Sequence, residues 1–509
     1  MKNKLRPLKK KGFLSEVIYE KIYPTGSVPA RIYGLPKMHK MYTTYPSFRP
    51  IVSSLGTFNY NLAVFLGELL IDDIPIQHSC ADTFTFVSEL KQANTTNKFI
   101  TSFDVVSLFT NIPLKETINL AVDIIFEKEF RKNPETKVTK KDVEELFFFA
   151  TSKTNFLFKG RVYDQIDGVA MGSPLAPILA NLFMGHHEKV WLEMANGGPA
   201  FYRRYVDDIF LTFENEECAW SFLDYLNNRH PNIKFTKDGN LKPGELPFLD
   251  VLIKNQEKLV TSVYHKDSYT GLLTNFRSFI PHVYKRMLVN TLTDRTFKIN
   301  NTWHGFDLDI KKMTSFLCKN MFPIKMVEDI IRNYLNKKLG VNVVLEKDKN
   351  IRISYLKLPY IGIYSGVAKL NLHKLMKRYC KVDVDLKLVF STCKVKDYFS
   401  QKDELPSCFK SHVVYKFNCA HCNACYVGRT DRHHATRVNE HLESDKNSHI
   451  LKHLKFNLQC KNACDENCFE ILDTANTKYQ LRIKEALYIN WIKPDLNKQK
   501  LHSTITLCI

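Results

Sequence analysis

The segment FYRRYVDDIFLTF, residues 201–213, restricts what this chain can become more than any other. Asp207 and Asp208 stand side by side in a run that is otherwise largely apolar and aromatic. An ionised carboxylate is costly to bury unless a positive group meets it. A turn made only for solubility would favour Gly, Asn or Pro. Here Tyr205 and Val206 precede the pair, and Ile209 and Phe210 follow it. The pattern reads as a strand, a tight turn at the aspartates and a second strand. Adjacent carboxylates at such a turn repel each other unless cations bridge them. Two divalent ions about 3.5–4 Å apart do this in phosphoryl-transfer sites. A further acid from another strand is needed, and TSFDVVSL supplies Asp104 in an apolar β-type run. The carbonyl of neighbouring Val105 offers one more oxygen ligand.

The rest of the chain suits a polyanionic partner. Its 509 residues carry a formal net charge of +20, and the pI is near 9.2. Such an excess favours nucleic acid. Hydrophobic residues at 44% and charged residues at 25% indicate folded domains rather than disorder. The length suggests about three of them. The basic start has no apolar stretch behind it, so no secretory leader is expected. No run of about 20 apolar residues predicts a membrane span, so no membrane partner is expected. Ten of the 13 cysteines lie from Cys380 onward. In an intracellular chain that clustering points to metal more than to disulfides.

The periodicities predict a short strand at SFRPIVSS, a helix at FNYNLAVFLGELLIDDI, and helices at LKETINLAVDIIFEKEFRK and TKKDVEELFFFATS, the latter capped by Thr139. NFLFKGRVYDQIDGVAMG alternates like a hairpin. SPLAPILANLFMGHHEKVWLEMA reads as a helix with Pro174 in its first turn. LPFLDVLIKNQEKLVTSVYHK gives two strands around Asn255, residues 275–340 read as basic helices, and RISYLKLPYIG through DLKLVF reads as strand, helix, strand.

YVDD resembles the signature of reverse transcriptases, FDVVSLFTNIP resembles the preceding catalytic motif of that fold, and GVAMGSPLAPILANLFM resembles the segment between them. Order and spacing agree. The resemblance implies a right-hand polymerase with fingers, palm and thumb. Asp104 and Asp207 would hold Mg²⁺ or Mn²⁺, with Asp208 assisting. Phe109 would sit under the sugar and exclude a 2′-hydroxyl, its plainer role being a core aromatic. Lys37 in LPKMHK and Arg49 in FRPIV match basic finger residues that grip the incoming dNTP, a task suited to Arg in particular. Gly172, Ser173 and Pro174 match the turn against which template and primer lie.

YGLPKMHK, LPFLDVLI and YTGLLTNFRSFIPHVYK are similar to motifs of Penelope-like retroelements, relatives of telomerase reverse transcriptases. The expected organisation is α+β: an N-terminal basic segment and fingers over 1–100, palm over 101–260, thumb over 261–345, an αβ linker region over 346–410 and a small α/β domain over 411–509. In that last part, Cys419, Cys422 and Cys425 form C-x2-C-x2-C, a spacing from which thiolates reach one zinc. Cys419, Cys422, His441 and His453 are the expected Zn²⁺ ligands. His421, His433, His434, His449, Cys425, Cys460, Cys464 and Cys468 are rivals.

Around these cysteines, VVY and YVG are similar to the GIY-YIG nuclease core, with valines in place of the Gly and Ile of the first triplet. Arg437, Glu485 in RIKEALYI and Asn497 in PDLN match downstream. The resemblance implies Tyr415 as general base, Tyr426 orienting the site, Arg437 stabilising phosphate charge, Glu485 binding Mg²⁺ or Mn²⁺, and Asn497 as support. Gly428 would admit close backbone approach. The plainer alternative is a module that only binds DNA.

The expectation is a retroelement enzyme acting in the nucleus. Its nuclease would nick target DNA, and the exposed 3′-OH would prime copying of template RNA. The alternative is a telomerase-like polymerase that extends chromosome ends with a non-cleaving C-terminal module. No feature of the sequence sets an oligomeric state.

Overall fold

The computed structural model describes the chain except residues 25, 37–47, 94, 134–136, 153–154, 167, 238–243, 257, 341–351, 380–383, 393, 395–397, 399–404 and 498–509. It is a mixed α+β structure. Two helices, Lys2–Lys10 and Glu16–Ile22, open the chain where the sequence pattern offered only charge. Leu5, Leu8 and Ile22 anchor them in a helical core with Leu62, Leu66, Leu146 and Phe147.

Strands β1 (Ala30–Pro36) and β2 (Phe48–Ser53) pair antiparallel. Strand β3 (Phe99–Val105) lies in the central sheet. Strands β4 (Asn155–Phe158) and β5 (Arg161–Asp164) form the expected hairpin, turning at Lys159 and Gly160, and β4 joins β1 in parallel. Strands β6 (Phe201–Tyr205), β7 (Asp208–Phe213) and β8 (Phe235–Lys237) complete the central sheet, ordered β6-β7-β3-β8 and antiparallel throughout. Three strands, not two, occupy the next segment. They are β9 (Glu245–Phe248), β10 (Val251–Lys254) and β11 (Val260–Val263), because the chain reverses at Leu249 with φ 56° as well as near Asn255.

Both faces of the central sheet are covered. Phe103, Ile209 and Leu211 pack with Ala180, Phe183 and Met184 of the Ala176–Glu193 helix. Ile100 and Phe210 pack with Phe86, Phe248 and Val251 on the other side. Full burial of such a side chain contributes about 1.5–3 kcal/mol. The Ala176–Glu193 helix starts later than its sequence pattern predicts. Pro177 sits in its first turn, and Pro174 lies in the turn before it.

Helices His282–Ile299, Trp303–Lys319 and Ile324–Lys338 close around Val289, Met313, Leu317 and Val327. Strand β12 (Arg352–Pro359), helix Ile363–Tyr379 and strand β13 (Val384–Ser391) follow as predicted, with the strands parallel. The C-terminal part holds β14 (Val413–Asn418), β15 (Cys425–Thr430) and β16 (Phe469–Thr474) in the antiparallel order β15-β14-β16. Helices between β15 and β16, and the Lys478–Ile492 helix after β16, cover it. Among the described residues no helix is long and apolar enough to cross a membrane.

Candidate functional site

The three aspartates meet at one end of the central sheet. Asp104 and Asp208 are opposed residues in the β3–β7 ladder. The β6–β7 turn consists of Val206, at φ 58°, and Asp207. The Asp207 carbonyl accepts the Val105 N–H at 2.9 Å, which ties the turn to the strand carrying Asp104. All three aspartates are half-buried at the end of otherwise buried strands. Asp104, Asp207 and Asp208 are not among the ligand sets whose atoms all lie within 4.8 Å of one another. Val105 sits between Asp104 and the bend of the chain, with its side chain buried.

A buried ion pair that belongs to none of the sequence motifs holds this turn. Arg204 is fully buried, and its Nε donates to Glu188 Oε1 at 2.6 Å. A second guanidinium nitrogen donates to Asn181 Oδ1 at 2.9 Å and to the Val206 carbonyl at 3.0 Å. Tyr202 donates its hydroxyl to the same Glu188 oxygen at 2.6 Å. Burial works against the charge on Arg204, but Glu188 outweighs it and the guanidinium is held more firmly protonated. Glu188 and Asn181 project from the Ala176–Glu193 helix, so that helix fixes the turn bearing Asp207. A signal was present: YRRY places an arginine at an inward strand position, and a buried charge needs a partner.

Of the expected finger residues, Lys37 lies outside the described residues. Arg49 is exposed on β2. Gly172 belongs against that strand. It has φ +129°, and a Cβ there would stand 2.4 Å from the Val52 carbonyl oxygen. Val52 N–H donates to Met171 O at 2.9 Å and Ser54 Oγ to Gly172 O at 2.8 Å. The Gly172–Ser173–Pro174 turn is thus docked on β2 by backbone, which is why only glycine fits. Phe109 packs against the cores on both sides of it, and its carbonyl accepts the Val169 N–H at 2.8 Å. It has the surroundings of a core aromatic.

A second constellation forms on β14 and β15. Tyr415 and Gly428 are opposed in the ladder, and a Cβ on Gly428 would stand 2.7 Å from the Tyr415 hydroxyl and 2.6 Å from the Tyr426 ring. Arg437 Nε donates to the Tyr415 hydroxyl at 3.4 Å, and its terminal nitrogen reaches Glu440 and Asp445, each at 3.0 Å. Glu485 accepts from Arg429 at 3.3 Å. Asn497 grips β15 twice, accepting the Val427 N–H at 2.9 Å and donating to the Val427 carbonyl at 2.7 Å. Burial raises the carboxyl of Glu485 and the phenols of Tyr415 and Tyr426 above their ordinary ranges. Arg437 keeps its proton more firmly than usual, because Tyr415, Glu440 and Asp445 overcome the effect of burial.

His441 belongs to this constellation and not to the zinc set in which the spacing placed it. Its Nε2 lies 2.6 Å from the Tyr415 hydroxyl and its Nδ1 2.6 Å from Ser448 Oγ. Burial and then Arg437 hold the imidazole down to about 3, so it is neutral, with one nitrogen donating and the other accepting. The physical reason is helical: His441 follows Arg437 by four residues and so shares its face toward Tyr415. The turn carrying it, Glu440–Ser444, is π-wound, a local geometry frequent at functional sites.

Cys460 takes the vacated place. Cys419, Cys422, His453 and Cys460 bring one ligand atom each to within 4.8 Å of one another. Cys422 Sγ is 3.5 Å from His453 Nε2 and 3.8 Å from Cys460 Sγ. Tetrahedral zinc with Zn–S bonds of about 2.3 Å separates its sulfurs by about 3.7 Å. The residues therefore fit zinc. Cys464 stands beside them, 3.6 Å from Cys419 Sγ. Burial alone would raise the Cys419 thiol, but hydrogen bonds from the Cys422 backbone and the His453 side chain bring it down to about 6, toward the thiolate a metal needs. Cys425 pairs with Asn418 in the strand ladder instead.

The acidic trio stands at the end of an antiparallel sheet, on a turn fixed from behind by Arg204 and Glu188. Residues 16–236 match the family model described as reverse transcriptase (RNA-dependent DNA polymerase), so this chain carries a reverse transcriptase domain. Residues 272–332 match the animal helix-turn-helix domain, which covers the first two of the three packed helices and most of the third. No curated protein matches the chain. Among solved structures, telomerase from Candida albicans is 14% identical, with 66% of this chain and 62% of that one covered and a TM-score of 0.42. Telomerase from Candida tropicalis truncated from its C-terminal domain is 15% identical, covering 45% and 53%, with a TM-score of 0.32. The sicinivirus RNA-dependent RNA polymerase is 10% identical, covering 64% and 71%, with a TM-score of 0.36. The chain thus spans 53% and 62% of the lengths of the two telomerases.

Proposed function

We propose that this is the enzyme of a Penelope-like retroelement, an RNA-directed DNA polymerase joined to a GIY-YIG nuclease that nicks target DNA to provide the primer. The observation that carries the polymerase reading is the register of Asp104 with Asp208, with Asp207 tied to Val105 at the same sheet end. Asp104, Asp207 and the Val105 carbonyl would hold magnesium, which when bound supplies charge for the triphosphate and activates the primer hydroxyl. Arg49, and Lys37 with it, would grip the triphosphate. The docked Gly172 turn would bear on the template. Single-stranded RNA and the growing duplex suit a chain of net charge +20. Fingers, palm and thumb correspond in this reading to residues 1–100, 101–260 and 261–345.

The gathering of Tyr415, Tyr426, Arg437, Glu485 and Asn497 around one strand pair supports the nuclease reading. A phenol raised by burial is a poor base alone. Arg437 favours the phenolate, and the neutral His441 ring fixes the hydroxyl by a hydrogen bond, so that Tyr415 would face the attacking water as its base. Glu485 would hold a divalent ion, and Arg437 would meet the developing phosphate charge. The Cys419, Cys422, His453 and Cys460 set would hold structural zinc. Action on target DNA implies the nucleus.

A target-primed extension assay tests this. Purified protein, template RNA, dNTPs and Mg²⁺ are supplied with intact or pre-nicked plasmid. The expected result is cDNA joined to the cut strand of intact plasmid. Asp207→Ala should nick without extending, and Glu485→Ala should extend only the pre-nicked plasmid. Extension of pre-nicked DNA with no nicking by the unaltered protein would replace the proposal with an end-extending polymerase. Loss of both activities in either folded variant would end the two-site scheme.

A further inference from the structure

Apart from the aspartates and the C-terminal cysteines, three side chains from separate elements converge. Glu116 lies in the first turn of the Leu114–Lys132 helix, His187 on the Ala176–Glu193 helix, and His230 in the segment leading to β8. His187 Nε2 is 2.8 Å from Glu116 Oε1, and His230 Nε2 is 3.4 Å from Glu116 Oε2. One ligand atom from each lies within 4.8 Å of the other two. Zinc with bonds of about 2.0–2.1 Å sets tetrahedral ligands about 3.3 Å apart. The two imidazole–carboxylate distances, each to a different Glu116 oxygen, lie on either side of that value.

The surroundings hold the rings in place. His187 stacks on Trp191 at 5.1 Å, and Phe183 contacts both imidazoles. Glu116 keeps 42% of its side chain exposed, so water reaches the carboxylate. We propose that Glu116, His187 and His230 form a second transition-metal site of the zinc class, a clasp joining two helices to the segment that enters β8. That strand pairs with β3 beside Asp104, so the clasp backs the strand that carries the catalytic carboxylate.

One contact opposes metal. His230 Nδ1 accepts the Asn232 N–H at 3.2 Å, whereas a ring ligating through Nε2 carries its proton on Nδ1. Giving up one neutral hydrogen bond lowers affinity about tenfold. The clasp should therefore bind more weakly than the cysteine site and be emptied first by a chelator. Without metal the same groups remain a hydrogen-bonded cluster, which is the rival account.

Cobalt(II) titration of the full, metal-stripped chain separates the two, with Mg²⁺ in excess to occupy carboxylate sites. The cysteine site announces itself by a thiolate-to-cobalt charge-transfer band. The clasp adds an equivalent with only weak ligand-field bands. That equivalent should persist in Cys422→Ser and disappear in His187→Gln and His230→Gln, where an amide keeps a hydrogen bond to Glu116. Zinc should raise the Tm of Cys422→Ser and leave that of the double variant Cys422→Ser/His187→Gln unmoved. An unchanged cobalt stoichiometry in both histidine variants, or no zinc effect on the Tm of Cys422→Ser, overturns the proposal.

Discussion

The buried pair behind the aspartates' turn yields a prediction in which stability and activity separate. Arg204 has no exposed surface and Glu188 is 2% exposed. One Glu188 oxygen takes both the Arg204 and the Tyr202 bonds. Glu188→Gln removes the only carboxylate paired with Arg204 among the described residues and leaves that buried guanidinium without this counter-charge. Breaking one partner of such a pair costs about 3–5 kcal/mol. For a domain of roughly 200 residues, each kcal/mol is worth about 2–4 °C, so the Tm should fall on the order of 10 °C. Glu188→Met/Arg204→Met replaces both charges with apolar groups of similar length. It should recover most of that loss, since a well-packed apolar substitute is often neutral. Activity should not recover with it. Arg204 also holds the Val206 carbonyl at 3.0 Å, next to Asp207. A carboxylate misplaced by about 1 Å costs about 100-fold in rate. The assays are thermal melting followed by fluorescence and single-turnover primer extension on an RNA template. A Tm change under about 2 °C in Glu188→Gln refutes the electrostatic argument. A double variant that is stable and fully active refutes the positioning role.

Three further outcomes follow. If Phe109 guards the sugar as well as filling the core, Phe109→Val should raise the use of ribonucleotides over deoxyribonucleotides by roughly 10–100-fold in competitive incorporation. Cys460→Ser should lose the zinc of the C-terminal site in a mass-spectrometric metal count, while His441→Asn should keep it and lose nicking instead. Nicking should fall as pH drops through a carboxyl value above the ordinary glutamate range, because burial raises Glu485 and only its ionised form binds metal. Metal competes with the proton, so more Mg²⁺ should move that limb to lower pH, as a pH–rate series at two Mg²⁺ concentrations would read.

What the sequence disclosed followed the range of the interactions involved. The strand–turn–strand at residues 201–213 was legible because alternation and turn chemistry are local. Its partnership with Asp104 was legible because an isolated acid in an apolar β run asks for a reason. The role of Arg204 was not legible because it depends on Glu188, a helix away in sequence, which only packing brings to 2.6 Å. The zinc set was misread at His441 for a similar reason. Spacing allows many histidines to reach Cys419 and Cys422, but helix phase turns His441 toward Tyr415 and delivers Cys460. The N-terminal helices hid behind their lysines, since the core that Leu5 and Leu8 join draws most of its residues from segments beyond residue 60.

The central claim is that Asp104 and Asp207 hold the ions for DNA synthesis on RNA. Primer extension with Mg²⁺, dNTPs and an RNA template, run on Asp104→Asn and Asp207→Asn alongside a binding measurement for the primer–template, tests it most directly. Each variant should melt like the unaltered protein, bind primer–template as well, and give no extension product. Extension at the unaltered rate by either variant would contradict the account.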